Sequence, residues 1–368
     1  MISPQQSDAH VLVMFWQWDI GGVQTRMSDV IDYLVHKKHS KVTLLLRKKI
    51  ENERQLPSQN ALFRVIYCPT FLSWSRWLFF MWLLLSIWKL NPSHILTILN
   101  RFHLIGVLGK WLLMLKGVNT RVILNQPIVT SRYIRQFEHP VWHILVNIFF
   151  NRADKIIVQT QAVANDLINT FNITPKLIFI VKNWTKKRKK CLYEKKYDLI
   201  FVGRLSKEKH IDSFLTVCSL LHKKIPTFSA CIVGDGVEKK FVHSYISYHN
   251  LSKTIDYIGF QDTPLVFIQQ AKLMYLPSEN EGMPMSVIEA MSIGVPAIVG
   301  DFPGADELIS SGHDGFICTD EVRSSLVIYR LLIDTVLYRR LSQSACTTIR
   351  TYYNRNNLVL FVNRLLMI

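Results

Sequence analysis

A chain of 368 residues, 49% hydrophobic and 19% charged, holds too much apolar material for disorder and exceeds the length at which one core stops growing. Two domains are therefore expected. A formal net charge of +17 favours polyanionic partners: nucleic acid, phosphorylated substrates or an anionic membrane surface.

In chain order, the first apolar run, Val11 to Trp16, lacks a cationic leader and runs into Asp19, Gly21 and Gly22, so it reads as a strand rather than a signal peptide. Alternation of short β-rich runs with longer helical ones follows. Strands are expected at His10 to Phe15, Lys41 to Leu46, His94 to Ile98, Arg121 to Asn125 and Lys155 to Gln159, with helices at Val23 to His36 and Phe102 to Leu115. The apolar tract Phe71 to Leu90 is broken by Arg76 and falls short of the roughly 18 uninterrupted apolar residues that span a bilayer. From Val181 to Lys196 the chain turns cationic and polar, which marks an exposed linker. The alternation then restarts with strands at Asp198 to Val202, Ser229 to Val233, Ile255 to Ile258 and Leu273 to Leu276, and helices at Ile211 to His222, Glu238 to Asn250 and Pro264 to Gln270. Such alternation implies parallel sheets with helical crossovers. The expected division is 1–182 and 197–347 for two Rossmann-like doubly wound α/β domains, 183–196 for a basic linker, and 348–368 for a C-terminal helix returning to the first domain.

Six cysteines (Cys68, Cys191, Cys218, Cys231, Cys318 and Cys346) lie scattered with no C-x-x-C pair, the pattern of buried, reduced thiols in a cytosolic protein.

Chemistry concentrates in two stretches. Ser278 to Met291 follows a strand and opens a helix: Pro284 suits the first helical position, and Gly294 suits the stop. Free N–H groups of Gly282, Met283, Met285 and Ser286 would face the crevice at the strand ends, where a helix N-terminus favours phosphate. Glu281 precedes the helix and Glu289 lies about a turn and a half inside it, so a ribose diol at Glu289 and sugar hydroxyls at Glu281 suit the two carboxylates. The second stretch, Asp198 to Lys209, sets Gly203, Arg204 and Lys209 just past a strand. Arg204 can fork two phosphate oxygens and Lys209 adds a point charge. No Asp-x-Asp pair is present to hold a metal. Gly21-Gly22 after the first strand and Gly234-Asp235-Gly236 after a later one allow close backbone approach to a phosphate, or mark tight turns.

Gly203-Arg204 with Lys209, Glu281-Gly282 with Glu289-Ala290-Met291, then Gly294, Pro296, Asp301, Gly304 and Glu307, together with Ala153 to Val158 and Val233 to Gly236, resemble the family 4 retaining glycosyltransferases of the GT-B fold. The resemblance implies two Rossmann-like domains facing an interdomain cleft and a UDP- or GDP-sugar donor used without a metal or other cofactor. It further implies retention at the anomeric carbon and an acceptor on the first domain. Arg204, Lys209 and Gly22 would hold the donor phosphates, Glu289 the ribose, and Glu281 with the amides after it the transferred sugar. His103 is the match for a histidine approaching that sugar; a structural histidine is the alternative. Asn183-Trp184, His210 and Asn125-Gln126 depart from the family pattern. A sugar-nucleotide 2-epimerase is the alternative activity on this fold.

Trp74, Trp77, Phe79, Phe80, Trp82 and Trp88 crowd one segment beside Arg76 and Lys89, either a core helix or an anionic membrane surface contact. The latter implies a peripheral protein on the inner face of the cell membrane, acting on a lipid-linked saccharide in surface polysaccharide or lipopolysaccharide synthesis. Nucleic acid is not an expected partner, because no RNA-binding motif or recognition helix accompanies the charge.

Overall fold

The computed structural model describes residues 9–16, 18, 21–49, 56, 60–186 and 194–367. Lys187 to Lys190 and Cys191, part of the expected linker, lie outside the described residues. The chain divides into two units, Met1–Lys182 with Asn356–Ile368, and Asn183–Arg355.

The first unit holds β1 (His10–Phe15), α1 (Gly22–Lys38), β2 (Lys41–Leu46), β3 (Phe63–Tyr67), α2 (Thr70–Ser73), α3 (Arg76–Leu90), β4 (His94–Ile98), α4 (Asn100–Leu115), β5 (Arg121–Gln126), α5 (Thr130–Phe137), α6 (Trp142–Phe150), β6 (Lys155–Val158), α7 (Gln161–Phe171) and β7 (Ile178–Ile180). Its strands are all parallel and ordered β3-β2-β1-β4-β5-β6-β7. Central strands such as Val11 to Phe15 are buried along their whole length, as expected where helices cover both faces of a parallel sheet. The tract Phe71 to Leu90 becomes α2 and α3. Phe79, Leu83 and Ile87 enter the core while Trp77, Met81 and Leu85 face outward.

The second unit contains β8 (Tyr197–Val202), α8 (Ile211–Lys224), β9 (Ala230–Val233), α9 (Lys239–Tyr248), β10 (Ile255–Gly259), α10 (Leu265–Gln269), β11 (Ala271–Leu276), α11 (Met285–Ser292), β12 (Ala297–Gly300), α12 (Ala305–Leu308), β13 (Gly315–Cys318), α13 (Glu321–Ile333) and α14 (Thr335–Tyr352). The parallel order β10-β9-β8-β11-β12-β13 reverses direction between β8 and β11. The last helix, α15 (Arg355–Leu366), carries the chain back into the first unit, where Phe361 lies 5.9 Å from the buried Arg26 guanidinium of α1.

Two expectations about this stretch change. A boundary at 347/348 falls inside α14, whose Leu341, Ala345 and Ile349 pack continuously in the core of the second unit; the passage comes at Arg355. Asn183 and Trp184, read as exposed linker, are buried, and the Asn183 amide is anchored to the Met283 carbonyl of the second unit. Five cysteines, Cys68, Cys218, Cys231, Cys318 and Cys346, are free and buried; Cys191 lies outside the described residues. No helix among the described residues is long and apolar enough to cross a membrane.

Candidate active site

In an open parallel sheet the crevice for a ligand forms where the strand order reverses, beyond the carboxyl ends. In the second unit that point lies between β8 and β11, and the loops leaving these strands carry Arg204, Lys209 and Glu281. Glycines make the arrangement possible. A Cβ on Gly234, which has φ +146°, would lie 1.9 Å from the Gly203 carbonyl oxygen, and one on Gly236 would lie 2.3 Å from that of Leu205. With no side chains between them, the loops after β8 and β9 join: Gly203 N–H donates to Val233 at 3.1 Å, and Leu205 N–H to Asp235 at 2.9 Å. Arg204 is thereby held on the outside of the turn, exposed; its carbonyl accepts from Ser206 N–H at 3.1 Å, while its side chain makes no hydrogen bond or ion pair among the described residues.

The loops after β8 and β11 meet next. Lys209 Nζ forms an ion pair with Glu281 Oε1, both side chains being mostly buried. Glu279 N–H donates to the Glu208 carbonyl at 3.3 Å. His210 Nε2 lies 3.2 Å from Glu279 Oε2. His210 adopts φ +49°, a left-handed conformation that glycine takes without a Cβ clash.

Pro284 is the N-cap of α11 and Met285 its first residue, one position later than the sequence reading, because Pro284 has an extended ψ of 119°. The N–H groups of Gly282, Met283, Met285 and Ser286 donate to no carbonyl among the described residues. Glu289 is half-buried within α11. Asn183 Nδ2 donates to the Met283 carbonyl at 2.8 Å, fixing the turn into the helix from a point 100 positions earlier in the chain. Two further polar groups escaped sequence reasoning: Ser278 Oγ and Asn280 Oδ1 are buried without a partner among the described residues. A carboxamide and a hydroxyl beside a strand end carry no spacing signal that would have found them.

The other two sequence-selected residues, Gly22 and His103, belong to the first unit. Gly22 opens α1 after the extended Gly21, at the carboxyl end of β1 and exposed. His103 is completely buried. Its Nδ1 pairs with Thr97 Oγ1 at 2.7 Å and its Nε2 with Gln126 Oε1 at 3.0 Å, while its ring packs edge-on to Phe150 at 5.0 Å. Burial pushes its pKa down to about 3, against a smaller opposing effect of Gln126, so the ring is neutral. With both nitrogens engaged and no surface, His103 fits the structural alternative and not a group that approaches a sugar. What the crevice end of this sheet does carry is a set of buried carboxamides. Asn100 has neither amide atom paired, and Gln159 donates to Asn125 at 3.0 Å, leaving Asn125 Nδ2 and Gln159 Oε1 without partners among the described residues.

Comparison with known proteins decides what this assembly belongs to. Residues 20–186 match the family described as Glycosyltransferase Family 4, and residues 182–346 match Glycosyl transferases group 1. The chain is a GT-B glycosyltransferase of the family 4 type. It is similar to an uncharacterized glycosyltransferase of Haemophilus influenzae, 28% identical over 167 residues that cover 45% of each chain. It is also similar to the O-antigen biosynthesis glycosyltransferase WclY of Escherichia coli, 28% identical over 159 residues, 41% of this chain and 42% of that one. The chain thus spans about half the length of the curated relatives it matches. Among solved structures, Anabaena HepE in complex with UDP and glucose has the same fold, with a TM-score of 0.80 at 17% identity over 98% of this chain and 99% of that one.

A second opening in the glycosyltransferase, a cleft of about 370 Å³, lies at the ends of β11, β12 and β13. It shares His210, Ser278 and Glu279 with the site above, but Glu279, Asp301, Asp320 and Glu321 line it. Four carboxylates repel a diphosphate, so the anion-binding chemistry stays with Arg204 and Lys209. No cluster of three or more His, Cys, Asp or Glu side chains suited to a metal occurs among the described residues.

Proposed function

We propose that this glycosyltransferase moves a hexose or N-acetylhexosamine from a UDP- or GDP-sugar to a lipid-linked saccharide acceptor, with retention and without a metal ion. The observation that supports the reading is the Lys209–Glu281 ion pair, which joins the loops leaving β8 and β11 beside the N–H groups of Gly282, Met283, Met285 and Ser286 that donate to no carbonyl among the described residues. Arg204 forks the diphosphate, and Lys209 divides its charge between Glu281 and a phosphate oxygen. The amides of Gly282 to Ser286 take the remaining acceptor lone pairs, with Glu289 on the ribose. These groups stabilise negative charge as the anomeric carbon–oxygen bond breaks. The acceptor oxygen then attacks on the face the diphosphate leaves, and its proton passes to the departing phosphate oxygen.

Glu281, held in place by Lys209, orients the sugar hydroxyls. The UDP and glucose in the HepE complex and the O-antigen role in the name of WclY support a UDP-sugar and a surface saccharide.

Incubation with candidate UDP-sugars, with and without saccharide acceptors, tests this reading. Acceptor-dependent release of UDP supports transfer. Epimerised sugar formed from the donor alone would instead support the 2-epimerase.

A further inference from the structure

Apolar side chains on the outside of the first unit are concentrated on one face. From α3, Trp77, Met81, Leu85 and Trp88 point outward at helical spacing, opposite the buried Phe79, Leu83 and Ile87. Trp74, in the link from α2, is 88% exposed and Trp77 is 81% exposed. The face continues onto α4, because Lys116 donates to the Trp88 carbonyl at 3.1 Å and lies over the Trp88 ring. It reaches α6 through Trp111, whose ring is 5.7 Å from Phe149, beside the exposed Ile144 and Ile148. An exposed stripe of this kind needs an occupant.

Charge selects that occupant. Between Glu53 and Glu138 the sequence has no Asp or Glu but ten Lys or Arg. Arg76, Lys89 and Lys116 stand exposed around the tryptophans, whereas Lys110 is held by Asp154 at 2.7 Å. A second copy docking about a two-fold axis would set this acid-free surface against itself. An anionic lipid layer offers apolar depth for the tryptophans and phosphates for the cations.

We propose that the α2–α3–α4–α6 face is a membrane-docking surface that inserts Trp74 and Trp77 into the headgroup region of an anionic leaflet. This deepens the lipid-linked-acceptor reading and rests on it for its purpose, though not for its test. Sedimentation compares vesicles of pure phosphatidylcholine with vesicles of equal parts phosphatidylcholine and phosphatidylglycerol at low salt. Binding is expected to favour the anionic vesicles, each cation contributing roughly fivefold to partitioning. The double variant Trp74→Ser/Trp77→Ser is expected to lose about a hundredfold in partitioning. Both positions are exposed, so its thermal midpoint and its stabilisation by UDP should match the parent. No binding to either vesicle, equal binding to both, or binding indifferent to the two substitutions overturns the proposal. So does a dimer that the substitutions convert to monomer, which assigns the face to a second copy. Vesicle binding by a protein that releases no UDP would count against the transfer reading alone.

Discussion

The Lys209 ammonium is paired with the Glu281 carboxylate, joining the loop after β8 to the loop before α11. The pair is mostly removed from water, so each charge depends on the other. Donor binding can place phosphate on the far side of the ammonium without stripping it from Glu281, since an ammonium has three protons to donate. In the proposed site the pair would therefore both join the two loops and serve the donor.

Single substitutions should reveal this double duty. Lys209→Met strands the carboxylate and is expected to cost about 1–3 kcal/mol of stability. The double variant Lys209→Met/Glu281→Gln is expected to recover part of that loss while remaining inactive. Urea midpoints of the four proteins in the cycle, read with their turnover numbers, check both halves.

Gly234 has no room for a methyl group. Gly234→Ala would drive its Cβ into the Gly203 carbonyl, which can move only with the loop that holds Arg204. A stability loss above about 3 kcal/mol is expected, the range reached only by strain or broken core packing. Thermal unfolding shows the loss directly, and any folded fraction should bind UDP weakly.

Ser278 separates a structural role from a ligand-binding one. Its buried hydroxyl has no partner, so Ser278→Ala should leave stability within about 0.5 kcal/mol or raise it. If the hydroxyl instead waits for a ligand, donor affinity falls roughly tenfold, the worth of one hydrogen bond to a charged group. Calorimetric titration of UDP into both proteins is the check.

Acid should destabilise the first unit. His103 stays neutral when folded down to about pH 3 because of its burial, while the unfolded chain takes up a proton near the ordinary value of 6.5. The stabilisation is therefore complete above pH 6.5 and is lost as pH falls from there toward 3, by about 1.4 kcal/mol per pH unit. His10 and His94, each pushed down to about 4 chiefly by burial, act in the same direction. Eight of the nine tryptophans precede Lys182, so fluorescence reports mainly on this unit. His103→Gln should flatten the dependence of the urea midpoint on pH between 7 and 5, whatever its effect on the midpoint itself.

What could be read in advance follows from how locally each feature is encoded. The buried strands Val11 to Phe15 and Tyr197 to Val202 announce themselves because strands covered on both faces are continuous apolar runs. Gly234 and Gly294 mark places where the backbone takes a positive φ, and Arg204 and Lys209 stand at fixed distances after a strand. By contrast β3 and β7 at the sheet edge are short and partly exposed, so their patterns are weak. The role of His103 depends on Gln126, 23 positions away, and the burial of Asn183 on a carbonyl 100 positions away. The Trp-rich tract divides between core and surface, because helical periodicity turns residues about two apart, such as Trp77 and Phe79, toward opposite faces of one apolar run.

In the proposed reaction, protein cations and not a metal hold the donor diphosphate. Calorimetric titration of UDP in the presence of EDTA, repeated with magnesium, tests it on the parent protein and on Arg204→Ala. Equal affinity is expected with and without the metal, and a loss of roughly tenfold to a hundredfold in Arg204→Ala. Binding that disappears in EDTA, or that is indifferent to Arg204, would contradict it.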